Sequence, residues 1–190
     1  RRGAATALLT TKGFRDVLDL GTESRFDQYD IGMEKPAPLV PRALRIGVPE
    51  RIAADGAILL PLDEAAVRAA AAGFRARGIQ SVAIAFLHSY ANPAHEQAAA
   101  RILAEEMPGA SLSLSSQVSP EMREYERFST TVVNALLSPL VKQYTTGLES
   151  ELGRAGYRGR LQLLHGGGGL MSSQTAERYA GRLASSGVAA

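Results

Sequence analysis

The sequence is distinguished first by what it lacks. It contains no cysteine, which excludes disulfides, cysteine-ligated zinc and a thiol nucleophile. No apolar run approaches the roughly 20 residues of a membrane-spanning helix, and the first residues do not show the charged and apolar regions of a secretion signal. These absences predict a cytoplasmic protein that makes no contact with a membrane.

An excess of one charge is also missing. The 21 Lys and Arg residues face 19 Asp and Glu residues, which gives a net charge of +2, and the basic residues form no dense cluster. A nucleic-acid partner is therefore not indicated. The chain also shows no serine-hydrolase elbow, no protein-kinase signature and no calcium-binding EF-hand loop.

The composition that is present, 45% hydrophobic and 21% charged residues in a chain of 190, is that of a folded globular protein. From residue 57 onward, short apolar runs alternate with amphipathic segments. This pattern predicts an α/β fold with a mixed, mainly parallel sheet, flanking helices and an edge hairpin. The predicted strands are 5–10, 44–52, 57–60, 81–87, 110–115 and 160–165, and the predicted helices are 14–18, 64–77, 94–106, 119–137, 139–154 and 173–183.

We expect residues 1–190 to form a single α/β domain that is truncated at both ends. Residues 1–62 hold a strand, a helix, a long loop at 21–43 and the hairpin, and residues 63–190 hold the alternating strands and helices. Arg1 is not an initiator methionine and leads at once into a strand, and the last residues stop where a loop begins. The chain is therefore predicted to be a fragment.

Two histidines and a glutamate, His88, His95 and Glu96, follow the most apolar predicted strand. Ligands of open α/β sheets bind outside the carboxyl ends of the strands, where these residues are expected to lie. Imidazoles and carboxylates are the groups that transfer protons or bind metals, so all three are candidate catalytic residues. The alternative is structural: His88 ends a strand, and His95 and Glu96 form an exposed first helical turn.

One face of the long predicted helix carries Arg127, Thr131 and Asn134, which recur at helical spacing. Because Thr and Asn are poor helix formers, this face favours a polar cleft, and the three residues are candidates for substrate binding. The alternative is a solvated face with charge pairs that involve Glu124 and Glu126.

Four consecutive glycines, Gly166, Gly167, Gly168 and Gly169, lie between an apolar run and a predicted helix. A strand, a glycine loop and a helix start can close around a phosphate, because glycine accepts positive φ and the helix offers free N–H groups. These glycines are candidate cofactor-binding residues. The loop lacks the patterns of the P-loop and of dinucleotide binders, so a plain glycine turn is the alternative. The sequence does not identify which residues would bind a metal.

Five stretches of the chain, in order, resemble one family. They are TTKGFRDVL at 10–18, VPERI at 48–52, FLHSYANP with the following HE at 86–96, the segment 120–134 that contains REYER, and GGLM at 168–171. Together they resemble the N-terminal portion of the ATP-dependent hydantoinase A / 5-oxoprolinase family, which also includes an acetone carboxylase subunit. The resemblance implies part of an actin- and sugar-kinase-like (ribonuclease H-like) ATPase fold.

The same resemblance implies a hydrolase that uses ATP and Mg²⁺ or another divalent metal to phosphorylate the amide oxygen of a cyclic substrate such as hydantoin or 5-oxoproline. It also implies a hydantoinase B-type partner subunit or domain and an oligomeric assembly. The family's aspartate-containing phosphate loops would lie before Arg1 and after Ala190, so the chain itself is expected to be inactive. The alternatives are a non-catalytic module that contacts the partner subunit, and part of a ketone carboxylase subunit.

The chain departs from the family pattern at two places. The family has Ser-Asn-Gly-Gly where this chain has Gly166–Gly169, and Ser-Gly-Pro where it has Ser186-Gly187-Val188. The polar side chains that would hold a substrate or a phosphate are therefore missing at the glycine loop.

Overall fold

The computed structural model describes residues 3–22, 29, 32 and 36–184. The strands of this part are β1 (Thr6–Thr11), β2 (Arg45–Val48), β3 (Arg51–Ile52), β4 (Ile58–Leu60), β5 (Ser81–Ala85), β6 (Ser111–Leu114), β7 (Gln162–Leu164) and β8 (Leu170–Ser172). The helices are α1 (Val17–Leu20), α2 (Glu64–Ala76), α3 (Ala94–Glu106), α4 (Ser115–Val118), α5 (Glu124–Arg154) and α6 (Ser173–Arg178). Of the loop predicted at 21–43, residues 23–28, 30, 31 and 33–35 lie outside the described residues.

Four parallel strands form the main sheet in the order β2–β1–β5–β6, which confirms the predicted parallel α/β arrangement. Both β1 and β5 are buried along their whole length. The chain places β2 on one side of β1 and then continues with β5 on the other side, so the direction of winding reverses between β1 and β5. In open α/β sheets, the carboxyl ends of the strands beside such a reversal are where ligands bind.

Helices close both faces of this sheet, because successive side chains of a strand point to opposite faces. Leu9 and Ile84 belong to an apolar cluster with residues of α2 and α3. Leu8 and Ala85 belong to a second cluster, with Phe128 of α5. The two clusters hold the central strands rigidly and fix the edge at which their carboxyl ends lie.

The long helix α5 starts later than predicted. Its first residue is Glu124, whereas the pattern Ser119-Pro120-Glu121 predicts a start at residue 119. The chain leaves β6 through the short helix α4 and then passes through residues 119–123, which are not helical. Arg123 turns the backbone into α5 with a φ of 77°, so the helix is aligned by its packing against the sheet rather than by the local start signal.

Pro139 does not divide α5, contrary to the prediction of a kink or restart. The helix is continuous from Glu124 to Arg154. Proline has no N–H to donate to the carbonyl four residues earlier, that of Ala135. The Oγ of Ser81 on β5 donates to this carbonyl at 2.7 Å, so the sheet supplies the hydrogen bond that the proline removes.

The predicted hairpin at Asp55–Gly56 forms as a separate two-stranded sheet. Antiparallel pairing joins β3 to β4, whereas β2 pairs with β1 in the main sheet. The single strand predicted at 44–52 is therefore two strands, and Pro49, which cannot donate to a ladder, lies at the break.

The predicted order of strand, glycine loop and helix near residue 166 is wrong. After the glycines the chain returns as β8, which pairs antiparallel with β7, and α6 begins only at Ser173. The glycines therefore form the turn of a hairpin. In the part of the chain that the structure describes, no helix is long and apolar enough to cross a membrane.

Candidate functional site

The carboxyl ends of the central strands carry a group of buried polar side chains. Thr11 ends β1, and His88 lies three residues beyond β5. Glu50 reaches the same edge from the connection between β2 and β3, and Ser115 follows β6 directly. Since the winding reverses between β1 and β5, this edge is the place where an α/β sheet is expected to bind a ligand.

A first network joins Thr11, Glu50 and His95. The Glu50 carboxylate is 2% exposed, and it accepts a hydrogen bond from Thr11 Oγ1 and lies 2.8 Å from His95 Nδ1. The Thr11 hydroxyl in turn accepts a hydrogen bond of 2.9 Å from the N–H of Leu87. A buried carboxylate is tolerated only when it is paired, and here both oxygens have partners. The network therefore ties β1, the end of β2, α3 and the segment after β5 together.

A second network is centred on Glu96, which is fully buried. One carboxylate oxygen accepts hydrogen bonds from the N–H of Phe86 at 3.0 Å and from Ser115 Oγ at 2.6 Å. The other oxygen accepts a hydrogen bond from the N–H of Ser116 at 2.9 Å. The alternative, that His95 and Glu96 form an exposed first helical turn, is right about the turn, since both lie at the start of α3. It is wrong about their exposure, because both residues are buried.

The guanidinium of Arg127 completes this second network. Nη2 donates to the carbonyl of Phe86 at 2.9 Å, Nη1 donates to the carbonyl of Glu121 at 2.9 Å, and Nε donates to Ser115 Oγ at 3.2 Å. Burial lowers the pKa of Arg127 below its usual value, and the nearby Glu96 and Glu124 carboxylates act in the opposite direction. An arginine remains cationic at neutral pH even so, so a full positive charge sits at the ends of β5 and β6.

Thr131 and Asn134 continue the Arg127 face of α5, and this face is buried rather than solvated. Thr131 Oγ1 donates to the carbonyl of Arg127 at 2.7 Å. The Asn134 amide nitrogen donates to Ser113 Oγ at 2.9 Å, and its oxygen accepts a hydrogen bond from the N–H of Gly181 at 3.0 Å. Asn134 is tolerated in the helix because its amide bonds to β6 and to the segment that follows α6. Thr131 is tolerated because its hydroxyl is satisfied within α5 itself.

His88 is the member of the predicted catalytic set that is least enclosed. It is half-buried, and its backbone is left-handed with a φ of 56°. Its ring meets the ring of Tyr90 edge to face, with centroids 5.9 Å apart, and Nδ1 lies 3.4 Å from the Tyr90 hydroxyl. The structure thus separates the three predicted catalytic residues: His95 pairs with Glu50, Glu96 with backbone and serine, and His88 with Tyr90.

The glycine turn encloses the ring of its neighbour His165. The N–H of Gly167 donates to His165 Nδ1 at 3.0 Å, and the N–H of Gly168 donates to the His165 carbonyl at 2.9 Å. A Cβ placed at Gly169 would lie 2.5 Å from His165 Nε2. The imidazole therefore fills the space that side chains would take, and it uses an amide that a phosphate would need. Ligand binding by Gly166–Gly169 stays a prediction.

The sequence did not single out Thr11, Glu50, Tyr90 or Ser115 as members of this site. Each follows or ends a strand at the same edge, and that position is the signal that could have identified them. Among the described residues, no group of three or more His, Asp or Glu side chains is arranged to hold a metal ion.

Two family models match the chain. The model described as hydantoinase/oxoprolinase N-terminal region matches residues 1–107, and the model described as hydantoinase/oxoprolinase matches residues 127–190. An uncharacterized protein of Methanocaldococcus jannaschii is 39% identical over 184 residues, which are 97% of this chain and 27% of that protein. The caprolactamase subunit alpha of Pseudomonas jessenii is 38% identical over 172 residues, 90% of this chain and 25% of that subunit.

Two solved structures are also similar to this chain over nearly its whole length. The ATP-dependent caprolactamase from Pseudomonas jessenii superposes with a TM-score of 0.84 at 35% identity, over 96% of this chain and 28% of that one. Nucleotide-free acetone carboxylase superposes with a TM-score of 0.83 at 25% identity, over 96% of this chain and 27% of that one. The chain thus spans about a quarter of the length of the relatives that it matches.

Proposed function

Because this chain belongs to the hydantoinase/oxoprolinase family, we propose that it is part of an enzyme subunit that opens a cyclic amide in an ATP-dependent reaction. The observation that carries this proposal is the similarity to an ATP-dependent caprolactamase over 96% of the chain at 35% identity. The relative is named as a subunit, which supports the proposal of a partner subunit and an oligomeric assembly. That the partner is of the hydantoinase B type is part of the same proposal.

The chemistry explains why ATP would be needed. An unstrained amide is a poor electrophile, and ATP supplies a phosphoryl group that turns the amide oxygen into a leaving group. A divalent metal would neutralise the phosphoryl charge. The described residues do not fit the binding of Mg-ATP, because the carboxylates at the sheet edge, Glu50 and Glu96, are buried and fully engaged. We therefore propose that the carboxylates that hold Mg-ATP lie elsewhere in the enzyme, and we derive no step through the nucleotide or the metal here.

Within this chain we propose that His88 is the group that faces the substrate. It lies at the carboxyl end of β5, beside the reversal in winding, and it is more exposed than His95 and Glu96. Those two residues serve the reaction by holding the strand ends in place. Arg127, Thr131 and Asn134 serve substrate binding in the same indirect way, because their polar groups are directed at backbone and side chains of the protein.

The glycine turn is a weaker candidate for ligand binding than His88. Gly166, Gly167 and Gly168 all donate their N–H groups within the protein. A bound phosphate would have to displace His165, so we propose cofactor binding at this turn only in a rearranged, ligand-bound state.

The function is tested with a full-length protein that contains this chain, purified with its partner subunit. We expect ATP-dependent formation of the ring-opened amino acid from at least one of hydantoin, 5-oxoproline or caprolactam. For the 190-residue chain alone we expect neither ATP hydrolysis nor micromolar binding of Mg-ATP in calorimetry. Tight binding by the isolated chain would contradict the proposal that the carboxylates for Mg-ATP lie outside it.

Part of a ketone carboxylase subunit is the second candidate, favoured by the superposition on acetone carboxylase. The same preparation distinguishes the two functions. A carboxylase would hydrolyse ATP only when a ketone and bicarbonate are both present, and it would leave the cyclic amides intact. A chain that only contacts the partner subunit would instead tolerate substitution of His88 without loss of turnover.

A further inference from the structure

The backbone around His88 is fixed by a turn that does not depend on its imidazole. The N–H groups of Ala91 and Asn92 both donate to the His88 carbonyl, at 2.9 and 3.2 Å. The Asn92 side chain then donates to the carbonyl of Gly56 at 2.8 Å, which anchors the turn to the β3–β4 hairpin. A left-handed residue other than glycine costs about 1–2 kcal/mol, so the histidine is not the residue that this backbone favours.

Tyr90 is held firmly against this turn. Its ring lies beneath the guanidinium of Arg127, with the central carbon 5.4 Å from the ring centroid. Arg127 is itself fixed by the carbonyls of Phe86 and Glu121. The tyrosine ring therefore has a defined position, and its hydroxyl is directed at Nδ1 of His88.

We propose that Tyr90 is a positioning residue that fixes His88 in the tautomer with the proton on Nε2. A phenol is a better hydrogen-bond donor than acceptor, and the cation over its ring withdraws electron density and strengthens the donor further. If the hydroxyl donates to Nδ1, the neutral imidazole carries its remaining proton on Nε2. No described residue hydrogen-bonds to that nitrogen. His88 then offers an N–H donor, not a base, beyond the carboxyl end of β5, beside the reversal in winding.

Such a donor suits a particular ligand atom. The oxygen of a cyclic amide is a hydrogen-bond acceptor, and a fixed N–H directed at it stabilises the negative charge that develops there. This part of the inference rests on the proposed function, whereas the assignment of the tautomer does not.

The tautomer can be read directly in this chain, because it contains three histidines. Long-range ¹H–¹⁵N spectra at pH 8 distinguish a protonated Nδ1 from a protonated Nε2 in each ring. We expect Nε2–H for His88, and Nε2–H also for His165, whose Nδ1 accepts a hydrogen bond from Gly167. His95 faces the Glu50 carboxylate through Nδ1, so its proton is expected on Nδ1, and the three rings calibrate one another.

The substitution Tyr90→Phe removes the hydroxyl and keeps the ring over which Arg127 lies. We expect the His88 signals to shift toward a mixture of tautomers, with those of His95 and His165 unchanged. Tyr157→Phe, at a residue that is 53% exposed in another part of the chain, is the matched control and should change none of them. An Nδ1–H tautomer for His88, or a spectrum unchanged by Tyr90→Phe, would overturn the proposal.

A second measurement tests the donor role in the full-length enzyme. Tyr90→Phe should lower kcat by roughly tenfold with little change in KM, because a misoriented donor weakens stabilisation of the transition state. If the tautomer shifts and kcat does not, the donor role is refuted although the cyclic-amide reaction stands. If no cyclic amide reacts, the proposed function fails, and the spectra still decide whether Tyr90 controls His88.

Discussion

Replacing Glu96 by alanine gives a sharp test of whether this carboxylate is an internal anchor or a reacting group. The side chain is fully buried and accepts three hydrogen bonds, two of them from backbone N–H groups. Alanine would leave those donors unpaired. It would also remove the carboxylate that, more than Glu124, opposes the effect of burial on the pKa of Arg127, whose guanidinium hydrogen-bonds only to neutral acceptors among the described residues.

These contacts determine how much free energy of unfolding Glu96→Ala should lose. Removing one member of a buried charged set costs about 3–5 kcal/mol, a large part of the roughly 5–15 kcal/mol that stabilises a typical domain. With a urea slope of about 2 kcal/mol per molar, the unfolding midpoint of Glu96→Ala should fall by roughly 2 M. Glu96→Gln keeps the shape of the side chain but replaces one hydrogen-bond acceptor by a donor. It should lower the free energy of unfolding by about 1–3 kcal/mol.

The assay is urea unfolding of the 190-residue chain followed by circular dichroism. Glu105→Ala on the same helix is the control. Its carboxylate is exposed and, among the residues that the structure describes, pairs only with Arg68 at 3.4 Å, so its loss should lower the free energy of unfolding by less than about 1 kcal/mol. If Glu96→Ala cost no more than the control, the anchoring role would be refuted. Glu96 would then have to be considered a group that contacts substrate.

Three further predictions use the same denaturation assay. Arg45 hydrogen-bonds to Asp19 and lowers its pKa below the ordinary value of 3.8, so the stability from this carboxylate is present at neutral pH and is lost as the pH falls below about 4. Asp19→Asn should flatten the stability profile in that acid range, and an unchanged profile would contradict the assignment. Ser81→Ala should lower the free energy of unfolding by about 1–3 kcal/mol, because it leaves the buried carbonyl of Ala135 unpaired. In a Pro139→Ala background the loss should be clearly smaller, because alanine restores an N–H that can reach this carbonyl. Equal losses with Pro139 and with Ala at this position would show that Ser81 does not compensate for the proline. His88→Gly should change stability by less than about 1 kcal/mol, since relief of the left-handed backbone offsets the flexibility of glycine, and a loss above about 2 kcal/mol would show that the imidazole holds the turn.

Helices and strands that are determined by neighbouring residues in the sequence were predicted correctly. Asp63 accepts a hydrogen bond from the N–H of Ala66 and starts α2 where expected, and the apolar run at 81–87 became the buried strand β5. Elements fixed by distant contacts were predicted less well. Pro139 removes a hydrogen bond from α5, and the hydroxyl that replaces it belongs to Ser81, 54 residues away from the carbonyl that it reaches.

The site shows the same division. The sequence predicted that His88, His95 and Glu96 lie near the carboxyl end of one strand. In the structure His88 follows β5, whereas His95 and Glu96 lie in the first turn of α3, from which Glu96 reaches the N–H of Phe86 beyond β5. The sequence could not show that the carboxylate of Glu50, 45 residues away along the chain, pairs with the imidazole of His95. The glycine run was interpreted wrongly for a different reason. Four glycines indicate that another group lies close to the backbone, but they do not show whether that group is a ligand or a side chain of the protein. In this chain that neighbour is the ring of His165.

The contacts of Arg127 have a consequence for folding kinetics. They join segments that are far apart along the chain, with Phe86 41 residues away and Ser115 12 residues away. The guanidinium can give up its water only after β5, β6 and α5 have come together, because its carbonyl partners are not in place before then. We expect these contacts to form after the folding transition state. Weakening them, for example with Arg127→Lys, should then speed unfolding and leave the folding rate nearly unchanged, so that the residue which orders the strand ends also sets the lifetime of the folded state.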